Sequence, residues 1–390
     1  MSHHSSIEKE SASLPSDFIG ITGRGVPVLQ PPTAITHSTS LNEILILARS
    51  ENASDMHLSA NKPVVFRQFG RLRTMAEDIL TADRIHSLIT AALPGNVFKD
   101  FESTGDGEYV HTIVGYGRFR MTFMKQSNGW DLTARLIPMN IPTFEESKMP
   151  VSCANLTKWA QGLVLITGPA GCGKTTTLAV LVELINQARH DHIITIEQPI
   201  EIVYEPKQSQ ITQREINLHS LSQLRALRAA LREDPDILVV SELRDLQSVQ
   251  LAISASETGH LVIGTMNTVN AAQTISRVID SFPLEEQPII RNMISESLRG
   301  VICQQLIPRK NGTGVVPAYE VLIVNQSVSN LIRKGEMNQI NNAITTGKLS
   351  GMILMDNSLE TLALNGVISV QEACERATNP AAMAQLLVKD

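Results

Sequence analysis

A chain of 390 residues, 43% hydrophobic and with a formal net charge of −6, is long enough for two or three domains around a large buried core. The acidic balance and an aromatic content of only 4% argue against a nucleic-acid groove as its main surface, since such a groove needs a basic field and stacking rings. Cys153, Cys172, Cys303 and Cys374 are scattered without a C-x-x-C pair, which suggests neither a zinc ribbon nor a disulfide framework, and no apolar run reaches the roughly 20 residues that cross a bilayer.

No secretion signal opens the chain, so the expectation is a cytoplasmic protein with reduced thiols that reaches any membrane only through a partner. Residues 1–38 are rich in Ser, Pro and Gly, carry Pro31-Pro32 and lack periodicity. They read as a flexible extension, with His3 and His4 as tail residues rather than ligands. A mixed α+β domain is expected over 39–138, with a helix over 41–48, strands over 55–59 and 64–69, and a helix over 82–92. It ends in a hairpin whose arms flank Gly115-Tyr116-Gly117. The second arm alternates Phe119, Met121 and Phe123 with Arg118, Arg120 and Thr122, which puts two arginines on one exposed face. That face is either simply solvated or reaches a nucleotide phosphate, with Arg135 on the next strand as a third cation. Lying outside the domain that follows, these arginines can act within the chain or across a subunit boundary; action in trans is the expectation.

Residues 139–152 read as a linker. From 153 to 283, buried strands over 163–167, 192–197, 236–241 and 260–265 alternate with helices near 175–188, 220–232, 245–258 and 271–280. That pattern predicts an α/β fold with a doubly wound parallel sheet. Residues 284–390 read as mostly helical, interrupted by a strand pair around 311–314.

The run Gly168-Pro169-Ala170-Gly171-Cys172-Gly173-Lys174-Thr175 matches the phosphate-binding loop G-x-x-x-x-G-K-[ST] in full, between an apolar strand and a helix as the motif requires. Gly171 and Gly173 let backbone N–H groups turn toward phosphate oxygens where a side chain would block them. Gly168, Cys172 and Thr176 belong to the same phosphate-binding set. Lys174 reaches the β- and γ-phosphates of ATP, and Thr175 is a ligand for Mg²⁺. Cys172, at the start of the helix, is expected to be a reactive thiolate.

Phosphoryl transfer to water also needs a group that orients or deprotonates the water. Glu242, after the strand that ends at Ser241, reads as a Walker-B-type acid for Mg²⁺. Glu197 or Glu201 is the candidate base, and spacing does not choose between them. His260 and Asn267 bracket the strand 261–265.

Several further segments occur in the same order: Ser54 to Ala60, Gly117-Arg118-Phe119-Arg120, Ile193 to Glu201, Gln213-Arg214-Glu215, Ala230 to Asp236, Glu242-Leu243-Arg244-Asp245, Glu257 to Leu261, Ser295 to Leu306 and Asn330 to Arg333. Together with the loop they make the chain, over about 40–375, resemble the secretion-type traffic ATPases that power type IV pili, in particular the PilT-like retraction motors. The resemblance implies a PAS-like N-terminal domain joined to a RecA-like P-loop ATPase domain, assembled as a hexamer that works on an inner-membrane pilus platform protein. It makes Glu201 the preferred base, Glu242 the Walker-B acid, and Arg118, Arg120 and Arg135 the arginines that approach nucleotide. His260 and Asn267 are candidate nucleotide-binding residues, Asn267 lying in what resembles the family's histidine box. Pilus-assembly relatives carry a longer N-terminal region and a zinc-binding cysteine tetrad, so their absence here favours retraction. The chain departs from the family at Gln198, where an Asp is usual, and at Asn267, where a His is usual. Gln supplies no anionic charge, while Asn can still donate a hydrogen bond to a γ-phosphate. The alternatives are the ATPase of a conjugation or type IV secretion apparatus, and an ATP-binding accessory subunit with weak or no hydrolysis.

Overall fold

The protein is described from a computed structural model over residues 31–32 and 34–387, so most of the extension expected at 1–38 lies outside the described residues. The first helix, Leu41–Ser50, is set by a capping box: the Ser40 hydroxyl accepts from the Glu43 amide, and the Glu43 carboxylate accepts from the Ser40 amide. Six antiparallel strands follow: β1 (Asp55–Ser59), β2 (Lys62–Gln68), β3 (Arg71–Leu80), β4 (Asp106–Ile113), β5 (Gly117–Gln126) and β6 (Gly129–Leu136), in the order β3-β2-β1-β6-β5-β4. Phe119, Met121 and Phe123 of β5 are fully buried in the same core as Phe66 and Leu132. Pleating turns Arg118 and Arg120 to the other face, where Arg120 lies directly opposite Arg135. The helix Gly95–Thr104 and the charged strand β3 have no counterpart in the sequence expectations, because neither carries a clean apolar period.

The second sheet has seven strands: β7 (Gly162–Thr167), β8 (His192–Glu197), β9 (Gln210–Glu215), β10 (Ile237–Val240), β11 (Leu261–Met266), β12 (Leu298–Pro308) and β13 (Val315–Ile323), ordered β13-β12-β7-β11-β10-β8-β9. All neighbours pair in parallel except the edge strand β13. The expected strands are β7, β8, β10 and β11, whose near-continuous Val/Ile/Leu runs belong to a sheet covered on both faces. Helices Lys174–Ala188, Gln223–Ala230, Leu246–Glu257 and Ala271–Asp280 connect or flank them, and separate apolar clusters fill the two faces.

Two differences from the sequence expectations matter. β9 reads Gln-Ile-Thr-Gln-Arg-Glu, too polar to announce a strand, and takes the sheet edge where one side stays open. The strand pair in the C-terminal third is also longer than expected: β12 and β13 run 11 and 9 residues and extend the sheet beside β7. Among the described residues, no helix is long and apolar enough to cross a membrane.

Glu320 on β13 ties this added pair to the rest. Only 4% exposed, its carboxylate accepts the first amide of helix Ala271–Asp280 at 2.7 Å and that of helix Met355–Leu364 at 3.4 Å. Helix N-termini carry unsatisfied amides and partial positive charge, so one buried acid satisfies two of them. Glu320→Ala should lower unfolding stability by about 3 kcal/mol, since it strands both amides in an apolar layer. Urea denaturation measures this, and an unchanged midpoint would remove the capping role.

Candidate active site

Parallel pairing of β7, β11, β10 and β8 brings four strand ends to one edge of the sheet. Beyond those ends lie, respectively, the phosphate loop, Asn267, Ser241-Glu242 and Gln198. The loop has φ of 147° at Gly168 and 91° at Gly173, a region that side chains disfavour. Space forbids a side chain at these positions too. A Cβ on Gly168 would run into the Gln304 carbonyl oxygen, and one on Gly173 would lie 2.9 Å from Gln304 Nε2. Gly171 is open and exposed. Lys174 opens the helix Lys174–Ala188, and its Nζ donates to the loop's own carbonyls, Gly168 O at 2.7 Å and Pro169 O at 3.0 Å. Thr175 is exposed in the first helical turn and Thr176 half-buried beside it.

Cys172 behaves differently from the sequence expectation. Its thiol is only 4% exposed, and burial pushes its pKa up despite the neighbouring Lys174. The side chain packs inward beneath Gly168 instead of facing the open side of the loop, so the helix start does not make it a reactive thiolate.

Glu242 is held at both carboxylate oxygens, by Arg244 Nη2 at 2.6 Å and by Asn267 Nδ2 at 2.5 Å. Asn267 therefore contacts Glu242 directly, through its side-chain amide donor. Gln223 Nε2 holds the Glu242 carbonyl at 2.7 Å. His260 sits elsewhere. It precedes β11 at the amino end, about 20 Å along a six-residue strand from the edge that carries the loop. Its Nδ1 lies 3.1 Å from the Ala255 carbonyl, so it has no part in the site within one chain.

The acids after β8 separate by environment. Glu197 is buried, with Oε1 accepting from Thr195 Oγ1 at 2.6 Å and Gln213 Nε2 at 3.0 Å. Burial, with the nearby Glu201 charge adding to it, pushes its pKa up to about 7. Glu201 is more open and faces the N-terminal sheet. Arg120 Nη1 donates to its Oε1 at 3.0 Å and Arg118 Nη1 to its backbone carbonyl at 3.0 Å. Arg120 also pairs with Glu108, while Arg135 is tied to Asp55 at 3.0 Å. Two of the three arginines thus meet the candidate base of their own chain. Burial lowers the pKa of the Arg118 guanidinium from its ordinary value, against the pull of Glu215, Glu197 and Glu201. The segment bearing Glu201 is pinned to β9, where Glu215 accepts from the Ile200 amide at 3.0 Å and Gln213 holds Ile202 and Tyr204. Gln198 is exposed at the end of β8.

Gln304, Gln213 and Arg244 lie in segments singled out in the sequence, but no role is assigned to them there. A signal existed for the first: a glutamine inside the apolar run of β12 that is only 4% exposed must be there for a hydrogen bond.

A profile described as type II/IV secretion system protein matches residues 34–374. The chain belongs to this family. It is 42% identical over 340 residues to the type IV pilus retractation ATPase PilT of Pseudomonas aeruginosa, covering 87% of this chain and 98% of that protein. It is 39% identical to a twitching motility protein of Neisseria gonorrhoeae over 82% of this chain and 86% of that one. A crystal structure of the pilus retraction motor PilT with bound ADP superposes with a TM-score of 0.80 at 37% identity, over 89% of this chain and all of the other. Family membership bears out the α/β fold class with its RecA-like ATPase domain, and the assignment to ATPases.

The Glu197 carboxyl links site chemistry to stability. Between its ordinary value of 4.5 and about 7, the native state holds a proton that the unfolded state has released. Stability therefore falls as pH rises through that window. Glu197→Gln, which mimics the protonated form, should match the parent near the bottom of the window. Above it the variant should gain on the order of 3 kcal/mol. Urea denaturation at the two ends measures the difference; the same offset at both would mean that Glu197 is not the group responsible.

Proposed function

We propose that the chain is a hexameric cytoplasmic ATPase motor that couples ATP hydrolysis to pilin depolymerisation in type IV pilus retraction, working on the inner-membrane platform of the pilus. The observation that carries this reading is a phosphate loop, Glu242 and Glu201 gathered beside one sheet edge, in a chain that matches 98% of the length of a pilus retraction ATPase. The secretion relatives match less well. The type II secretion protein E of Aeromonas hydrophila is 33% identical, over only 53% of its length.

The residues divide the work by position. Lys174 exchanges the carbonyls of Gly168 and Pro169 for β- and γ-phosphate oxygens, which hold a point cation more strongly. Glu201 is the better base than Glu197, because it is accessible to water while Glu197 is buried and hydrogen-bonded from below. Arg120 holds Oε1 of Glu201 and so lowers its basicity; release of that contact would make the carboxylate a stronger base and leave Arg120 Nη1 for phosphate charge. The chemistry fits a metal that arrives with nucleotide. Among the described residues, no cluster of three or more His, Cys, Asp or Glu could hold an ion alone, and Mg²⁺ is commonly held by one or two protein groups together with phosphates. Thr175 and Glu242 would supply those groups, and the ion would neutralise charge on the phosphates.

Deleting the gene in its host should abolish twitching and raise surface pilin, because filaments assemble and are no longer withdrawn. Complementation with Lys174→Ala should leave both defects in place, since loss of the phosphate cation costs on the order of 10²-fold or more in rate. Unchanged surface pilin together with loss of an exported protein would assign the chain to a secretion apparatus instead.

A further inference from the structure

The phosphate loop rests on a side chain from another part of the chain. Gln304 lies on β12, whose Cys303 pairs in register with Thr167, the residue just before the loop. Its Oε1 accepts from the hydroxyl of Thr177, in the first turn of the helix that the loop opens. Its backbone carbonyl fills the space under Gly168, and its Nε2 fills the space under Gly173. The residue is only 4% exposed.

Binding of a phosphate changes the loop's own bonding. While Lys174 Nζ bonds to Gly168 O and Pro169 O, the ammonium itself braces the turn. A Lys174 that turns to phosphate leaves those two carbonyls without that donor, and backbone groups in such a place need another partner or a rigid support. Gln304 has its backbone carbonyl against Gly168 and its side-chain amide lodged against Gly173 and fastened to the helix.

On the reading of the site as an ATP site, we propose that Gln304 is a positioning residue for nucleotide binding: its amide keeps the phosphate loop curved when Lys174 leaves the loop carbonyls for phosphate. It touches no reacting atom and acts through Gly173 and Thr177. The amide chemistry is specific. A carboxylate there could still accept from Thr177, but it would put a negative charge beneath a loop that must take an anion.

The test is equilibrium binding of a fluorescent ATP analogue with Mg²⁺ to the full chain, for the parent, Gln304→Glu, Gln304→Met and Lys174→Ala. At roughly pH 8, Gln304→Glu should bind at least about tenfold more weakly than the parent. It should recover toward the parent at about pH 6, because a buried carboxyl takes up its proton well above its ordinary pKa. Gln304→Met, of similar volume and uncharged, should weaken binding several-fold with the same pH dependence as the parent, and the melting temperature checks that each variant folds. Binding by both Gln304 variants within twofold of the parent at both pH values, while Lys174→Ala loses it, would overturn the positioning role and leave the ATP site standing. Undiminished binding by Lys174→Ala as well would overturn the ATP-site reading, and this inference with it.

Discussion

Parallel pairing at the centre of the second sheet is the constraint on which the rest depends. β7, β11, β10 and β8 run the same way in register, so residues far apart in sequence arrive at one edge without any long-range contact having to find them individually. The loop, Asn267, Glu242 and Gln198 are the residues that follow those strands. Such a sheet must be covered on both faces, which explains the two apolar layers and the helices between strands. The same covering makes the edge beyond the strand ends the open place where a polar ligand can meet the buried scaffold.

What this edge lacks comes from the other sheet. Arg118 and Arg120 share a pleat face of β5 and both bond to Glu201, one through its carbonyl and one through its carboxylate. The contact satisfies the acid and the two cations together, yet it leaves the candidate base ion-paired. Only partly buried, with Glu108 competing for Arg120, the pair can exchange partners at modest cost, unlike a fully desolvated one. Through this contact the candidate base is tied to the N-terminal sheet, so the relative placement of the two sheets bears on the Glu201 carboxylate.

Much of this was legible in the sequence where a local rule has a sharp chemical reason. The loop was readable because glycines, a lysine and a threonine at fixed spacing do one thing, and the four central strands because buried parallel strands are apolar throughout. The alternation of Phe119, Met121 and Phe123 with Arg118 and Arg120 gave their faces, and the fold turns that arginine face to Glu201. Other features depend on distant partners. The strand character of β9 comes from pairing with β8 and not from its polar residues, and the place of β12 beneath the loop appears only once Cys303 is seen opposite Thr167. Local reasoning also failed for Cys172, whose inward packing overrides the helix start, and for His260, where flanking a strand said nothing about which end faces the nucleotide.

At the two positions singled out in the sequence, Asn267 donates to Glu242 and Gln198 is exposed. The most direct measurement is steady-state phosphate release from ATP and Mg²⁺ by the purified chain, beside Lys174→Ala and Glu201→Gln. Turnover by the parent, with Lys174→Ala reduced to background and Glu201→Gln binding ATP without hydrolysing it, is the predicted result. Tight ATP binding by the parent with no turnover above Lys174→Ala would contradict it and make the chain an accessory subunit of another motor.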